Sequence, residues 1–367
     1  MAVKVTADTL GGGLRQFLAG GAYYLGFLPQ LKLKAEERLT LPSWRVLRYQ
    51  HVVDPNTQPY PLLPHDFVRP ESFYKQMRYL AKNHPVIGLD QLLAHVEQGT
   101  EPPESAVVIT FDSGWRNTYS DAFPILREFR LPACVFLATA FTGSSNLFWY
   151  DKILAAMIHL EQSGVDFPDV STLAEHLPPV TEGAGFNLAR SMARNIYIIN
   201  YLQKAPISER TATLAALGLA LEAIGGLPLD RTFLDWSEAL EMQQQGIRFG
   251  SNGHTHRTLT EFRRESAVSS DAAIAADVKN SFEKMRAQGL SPLPVFAYPE
   301  GEITKEGREV FIQCGVQLSL GIGDLPFAGE IKKSLVLGRV NIHQSNSHST
   351  EIFACRVARA TILGEIF

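Results

Sequence analysis

Cysteine is scarce in this chain: its 367 residues include three, Cys134, Cys314 and Cys355, an odd number set far apart. With no Cys-x-x-Cys pair among them, neither a disulfide framework nor a cysteine-built zinc site is available. The pattern reads as buried thiols in a reducing compartment. Charge of one sign is equally thin. A net charge of -4 and no long block of like charge remove the electrostatic footprint of a nucleic-acid partner. There is no internal repeat and no low-complexity tract. Long apolar runs are missing too: the segment 10–28 is apolar, but Gly11-Gly12-Gly13, Arg15 and Gly20-Gly21 interrupt it, without a basic leader or a small-x-small cleavage site. We expect a cytoplasmic protein whose residues 1–40 form a helical segment packed on the main domain. Phe17, Tyr23, Tyr24 and Phe27 leave that segment a second option, peripheral contact with a membrane surface.

What the chain does have is alternation. Val107-Val108-Ile109-Thr110-Phe111 is a β-branched, apolar run that stops at Asp112-Ser113-Gly114, which reads as a buried strand presenting polar groups at its C-terminal end. A helical stretch, 119–129, and a second apolar strand, 133–138, complete a βαβ unit, whose crossover implies parallel strands. From about 148 to 230 the composition is helical, read as an insertion. Alternation then resumes with a helix over 236–245, a strand over 247–250, a helix over 271–288, a strand over 295–298, a helix over 304–314 and a late strand over 335–342. The fold class is α/β, a barrel or an open sheet, with residues 41–367 as the domain and chemistry expected at strand C-termini.

Three strand ends carry polar clusters: Asp112-Ser113-Gly114, Ser251-Asn252-Gly253-His254-Thr255-His256 and Tyr298-Pro299-Glu300-Gly301-Glu302. A carboxylate and imidazoles converging at one end of a barrel are the kit for metal-assisted or general-base hydrolysis. The plainer roles are a cap for Asp112 and hydrogen-bonded loop histidines for His254 and His256.

These residues carry a resemblance. Leu47-Arg48-Tyr49-Gln50-His51-Val52, Thr110-Phe111-Asp112-Ser113-Gly114, Phe148-Trp149-Tyr150-Asp151, Gly250 to His256 and Phe296 to Gly301 resemble, in order and spacing, the motifs of NodB-type polysaccharide deacetylases, the family-four carbohydrate esterases. The resemblance implies a distorted (β/α) barrel of fewer than eight strands. It implies Asp112 as general base and a divalent metal, usually zinc, at Ser113, Asn252 and His256. Only His256 keeps the usual ligand there, and Gln50 replaces a histidine. Neutral serine and asparagine oxygens bind zinc far more weakly than carboxylate and imidazole. A rebuilt site would need His254 as a second ligand and Glu300 as a carboxylate; otherwise no cofactor is expected.

Two functions follow. One is an amide hydrolase acting on an N-acetylated saccharide in glycan metabolism, with Asp112 activating water and, as the electrophile, either the rebuilt metal or, in a metal-independent form, His256 as imidazolium or Arg339. The other is a catalytically inactive carbohydrate-binding or assembly protein on the same barrel. Trp115, Tyr298 and Glu300 are candidate saccharide contacts, with Trp149 and Tyr150 beside them, and stacking on sugar faces competes with plain packing for the aromatics. The resemblance implies an N- or O-acetylated saccharide, lipid-linked if the site is cytoplasmic. Arg339 is placed to orient Asp112 through a bidentate pair. His343 and His348 are late candidates for a general acid, against the plainer reading of loop histidines.

Overall fold

Short runs rich in Val, Leu, Ile and Phe become strands because β-branched and aromatic side chains suit a pleated, two-sided buried surface. The computed structural model describes residues 44–63, 65–164, 188–265, 270–303, 307–323 and 336–358. The segment expected over 1–40 lies outside them. Nine strands follow in chain order: β1 (Arg45–Tyr49), β2 (His51–Val52), β3 (Phe67–Val68), β4 (Val107–Phe111), β5 (Cys134–Leu137), β6 (Arg248–Ser251), β7 (Val295–Ala297), β8 (Leu318–Ile322) and β9 (Val336–Asn341). Seven of them close a barrel in the order β1-β4-β5-β6-β7-β8-β9, while β2 and β3 pair apart. Every barrel pairing is parallel, and β1 meets β9 at the seam through Leu47 opposite Val340 and Arg48 opposite Asn341. The α/β barrel of fewer than eight strands is therefore what forms.

Side chains alternate across each strand, so two cores arise from one sheet. Val46, Val108, Phe136, Ala297, Leu320 and Leu337 belong to one cluster, which fills the barrel. Leu47, Ile109, Val135, Phe249 and Phe296 belong to the larger cluster, packed under the surrounding helices. The strands β1 and β8 were not anticipated: Arg45 and Arg48 give β1 a polar look, and Ser319 and Gly321 dilute β8. The stretch expected as one helix over 119–129 is a wide turn, Thr118–Ala122, leading into the helix Phe123–Phe129.

The helices Trp149–Gln162, Leu188–Lys204 and Ile207–Glu222 pack on one another. They share an apolar cluster of their own, including Ile153, Met157, Ile198, Leu202 and Leu217. No helix among the described residues is long and apolar enough to cross a membrane.

Two glycines show what the barrel interior demands. A Cβ at Gly250 would sit 2.6 Å from the Phe136 ring, so this strand residue must stay bare for Phe136 to fill the barrel. A Cβ at Gly218, inside the helix Ile207–Glu222, would meet nothing within 4 Å. Chemical denaturation should therefore show opposite signs: Gly250→Ala costs roughly 1–3 kcal/mol through overpacking, whereas Gly218→Ala gains about 0.5–1 kcal/mol of helix stability. Equal effects at the two sites would contradict this packing.

Candidate functional site

At the C-terminal end of β4 the chain turns sharply. Ser113 has φ 73° and Gly114 φ 75°, and a Cβ on Gly114 would meet Leu137 at 2.5 Å, so the turn requires glycine there. The two other expected strand ends turn in the same way: Gly253 and His256 after β6 (φ 84° and 55°), and Glu300 and Gly301 after β7 (φ 57° and 70°). Left-handed backbone at non-glycine residues is costly and collects where side chains must be aimed. Ser113, His256 and Glu300 are thus held at the barrel mouth by strained turns.

Asp112 is buried at the centre, 2% exposed. Arg339 donates to it through two parallel bonds, Nη1 to Oδ1 at 2.6 Å and Nη2 to Oδ2 at 2.8 Å, the bidentate pair anticipated from sequence. Arg48, which the sequence reading did not single out, donates its Nε–H to Oδ2 at 2.6 Å. Its remaining donors go to Asn341 Oδ1 at 2.9 Å and Gln50 Oε1 at 3.1 Å, while Arg339 also reaches Gly321 O and Thr110 Oγ1. Burial alone would raise the Asp112 carboxyl, but the Arg339 and Arg48 guanidiniums overcome it and hold the group below its ordinary value. Asp112 is an anion whose two oxygens are both engaged by cations. A carboxylate so stabilised is a weak proton acceptor.

Ser113, Asn252 and His256 do converge. Asn252 Oδ1 accepts from the Ser113 N–H at 3.0 Å, its amide donates to Ala297 O at 2.8 Å, and Ser113 Oγ lies 3.4 Å from His256 Nε2. The His256 ring stacks on Phe148, centroids 3.8 Å apart. Burial, with Arg48 adding to it and Asp112 opposing, drives His256 down to about 3. This corrects one expectation: His256 is a neutral imidazole near pH 7, not an imidazolium electrophile. His254 turns elsewhere, its Nδ1 2.9 Å from Thr139 Oγ1, and among the described residues no three His, Cys, Asp or Glu side chains are arranged to hold a metal ion. The structure does not assemble the rebuilt ligand set of His254, His256 and Glu300.

Two aromatic expectations also need correction. Trp115 is 1% exposed, stacked on Phe233 with centroids 4.3 Å apart, and Tyr298 is 1% exposed against Phe296 and Phe311. Both are packing residues with no face free for a sugar. His343 is engaged locally with Ser345 and Asn346, and His348 is exposed.

A cavity of about 430 Å³ opens beside this centre, lined among others by Gln50, Trp149, Tyr150, Asp151, His256 and Glu300. Glu300, a candidate from sequence, is on its wall; Asp66 and Asp151, also on the wall, were not foreseen as site residues.

The sequence profile of the polysaccharide deacetylases matches residues 99–177 and 192–319. The chain belongs to the polysaccharide deacetylase family. Relatives include the poly-beta-1,6-N-acetyl-D-glucosamine N-deacetylase of Escherichia coli, 36% identical over 67 residues, 18% of this chain and 10% of that enzyme. The enzyme of the same name from Staphylococcus epidermidis is 34% identical over 80 residues, 22% of this chain and 27% of its own length. The matched stretch thus spans well under a third of either relative. Among solved structures, IcaB from Ammonifex degensii superposes with a TM-score of 0.51 at 15% identity, covering 85% of this chain and 97% of IcaB. Streptococcus pyogenes deacetylase PplD, in complex with acetate, gives 0.50 at 14% identity, covering 84% and 94%. These likenesses show the fold.

A divalent metal of the deacetylase family would fall at Ser113, Asn252 and His256. The residues present do not fit it. A hydroxyl, an amide and one imidazole supply no anionic ligand, the amide is already saturated on both sides, and the guanidiniums of Arg48 and Arg339 stand next to the position. Protein incubated with zinc and desalted should retain well under one equivalent by elemental analysis. The triple variant Ser113→Asp, Asn252→His, Arg48→Met should gain metal. Stoichiometric zinc in the unaltered protein that disappears with His256→Ala would contradict the donor chemistry.

His51 provides a pH test. Burial, aided by Arg48 and opposed by its bond with Asn117, lowers it from 6.5 to about 3, so it is neutral in the fold but protonates once unfolded. Its contribution to stability is complete above about pH 6.5 and declines as pH falls towards 3. The stability difference between the unaltered protein and His51→Gln should therefore shrink as urea titrations move from pH 7 to pH 4. A difference independent of pH would show that His51 is not held neutral.

Proposed function

We propose that this member of the polysaccharide deacetylase family recognises an amino-sugar polysaccharide of the N-acetylhexosamine type in glycan metabolism, without running metal-assisted hydrolysis. The observation that carries the reading is Asp112, buried and bound through both oxygens by Arg48 and Arg339. In that arrangement three charge-assisted hydrogen bonds hold the carboxylate and its proton affinity is lowered, so it has little basicity to offer a water. Ser113 and His256 do not compensate as a nucleophile and base. Their contact is long at 3.4 Å, no hydrogen bond among the described residues orients the other nitrogen of His256, and its imidazole is a feeble base. What remains is a cavity of saccharide dimensions beside a closed centre. The substrate class comes from the names of the relatives, which act on poly-beta-1,6-N-acetyl-D-glucosamine.

A second reading, metal-free amide hydrolysis at Asp112, is favoured by one observation: this carboxylate is ionised at neutral pH with cations beside it, which could polarise an acyl oxygen. Acetate release and binding, measured together on β-1,6-linked N-acetylglucosamine oligomers, separate the two. We expect binding and no acetate above the no-protein control. Acetate release that vanishes with Asp112→Asn would establish the hydrolase and overturn the binding reading.

A further inference from the structure

The cavity beside Asp112 is more acidic than a site for neutral N-acetyl sugars requires. Five carboxylates line it, Asp66, Asp151, Glu261, Glu300 and Glu302, against two cationic side chains, Lys204 and Arg264. Two of the carboxylates are already spoken for, since Glu261 pairs with Arg210 and Glu302 accepts from Thr260. Among the described residues Asp66 and Asp151 have no comparable partner, the one ion pair being a loose contact of Asp66 with His65 at 3.9 Å, and Glu300 faces the Tyr150 hydroxyl rather than a cation.

Asp151 is the decisive member. It sits in the first turn of the helix Trp149–Gln162, 9% exposed, and its Oδ2 is buried with no hydrogen-bond partner among the described residues. A buried acceptor left open costs stability that a protein does not surrender without a compensating ligand, a proton or a water. Burial first, then repulsion from Asp66 and Glu300, pushes the Asp151 carboxyl well up. Glu300 keeps contact with solvent at the mouth, yet the protein around it raises its carboxyl too.

We propose that this cavity is a subsite for the ammonium group of a de-N-acetylated hexosamine unit, held by Asp151 with Asp66 and Glu300 around it. This rests on the saccharide reading above and adds that the glycan recognised carries free amines. The chemistry is specific. An ammonium offers three donors to a ring of carboxylates and cancels their mutual repulsion, whereas an acetamido group has one donor and no charge. Trp149 on the same wall offers an apolar surface for the sugar body. A metal ion is the poorer occupant, because these side chains are not arranged as a ligand set.

The test is calorimetric titration of the full chain with a β-1,6-linked glucosamine trisaccharide, its fully N-acetylated counterpart, and Zn²⁺ or Mg²⁺ alone. The amine form should bind at least tenfold more tightly than the acetylated form. Asp151→Asn, which keeps the shape but takes away a carboxyl that can ionise against an ammonium, should cost the amine form roughly ten- to a hundredfold and leave the acetylated form unchanged. Glu300→Gln, at the solvent-facing mouth, should move in the same direction and serves if the first variant fails to fold. Equal or better binding of the acetylated form overturns the ammonium subsite while the saccharide reading survives. No binding of either saccharide overturns both. Tight binding of either metal ion that Asp151→Asn abolishes makes the cavity a cation site and overturns the proposal.

Discussion

The barrel closes around one buried ionic group. Arg48 projects from β1, Asp112 follows β4 and Arg339 projects from β9, and these three strands are neighbours across the seam where β1 and β9 share only two register pairs. A carboxylate taken out of water is tolerable only when paired and fully hydrogen-bonded, and a guanidinium pair supplies both conditions. Removing one partner from such a cluster leaves uncompensated charge in the core, at a cost of about 3–5 kcal/mol. The carboxylate that resemblance assigns to water activation has here become a tie between strands. Its structural value and its weakness as a base have the same cause.

The surroundings of that tie follow from it. With two cations and one anion at the centre, a further cation at Ser113 and His256 meets repulsion, and neutral side chains bonded to one another occupy the place instead. His256 loses its proton to burial and stacks on Phe148 as an aromatic ring. His51 is driven neutral in the same way, with Arg48 contributing to it. The mouth has strained turns at Ser113, His256 and Glu300, of which Ser113 and His256 contact each other. The same strain positions the cavity wall, since Glu300 owes its place to a left-handed turn.

The cationic centre and the acidic cavity are adjacent and opposite in sign. Arg48 acts on both, bonding Asp112 and drawing down Asp66 and Glu300 from a distance.

Much of this was legible in the sequence. The apolar run ending at Asp112-Ser113-Gly114 marked a strand end with a turn that needs glycine, and the replacement of a carboxylate and an imidazole by Ser113 and Asn252 marked a poor metal site. Arg339 was legible as a partner of Asp112. Arg48 was not, because an arginine inside a short strand reads as solvent-facing until closure places it opposite a carboxylate 64 residues away. For Trp115 and Tyr298 the sequence left sugar stacking and plain packing both open, and the contacts with Phe233 and Phe311 decide for packing. The sequence by itself determined the α/β alternation, the position of the polar strand ends and the chemical poverty of the metal site, since these depend on local patterning and residue type. Tertiary structure alone decided the charge state of Asp112, the neutrality of His256 and the meeting of Asp66, Asp151 and Glu300, because each depends on groups far apart in the chain and on the water that folding excludes from between them.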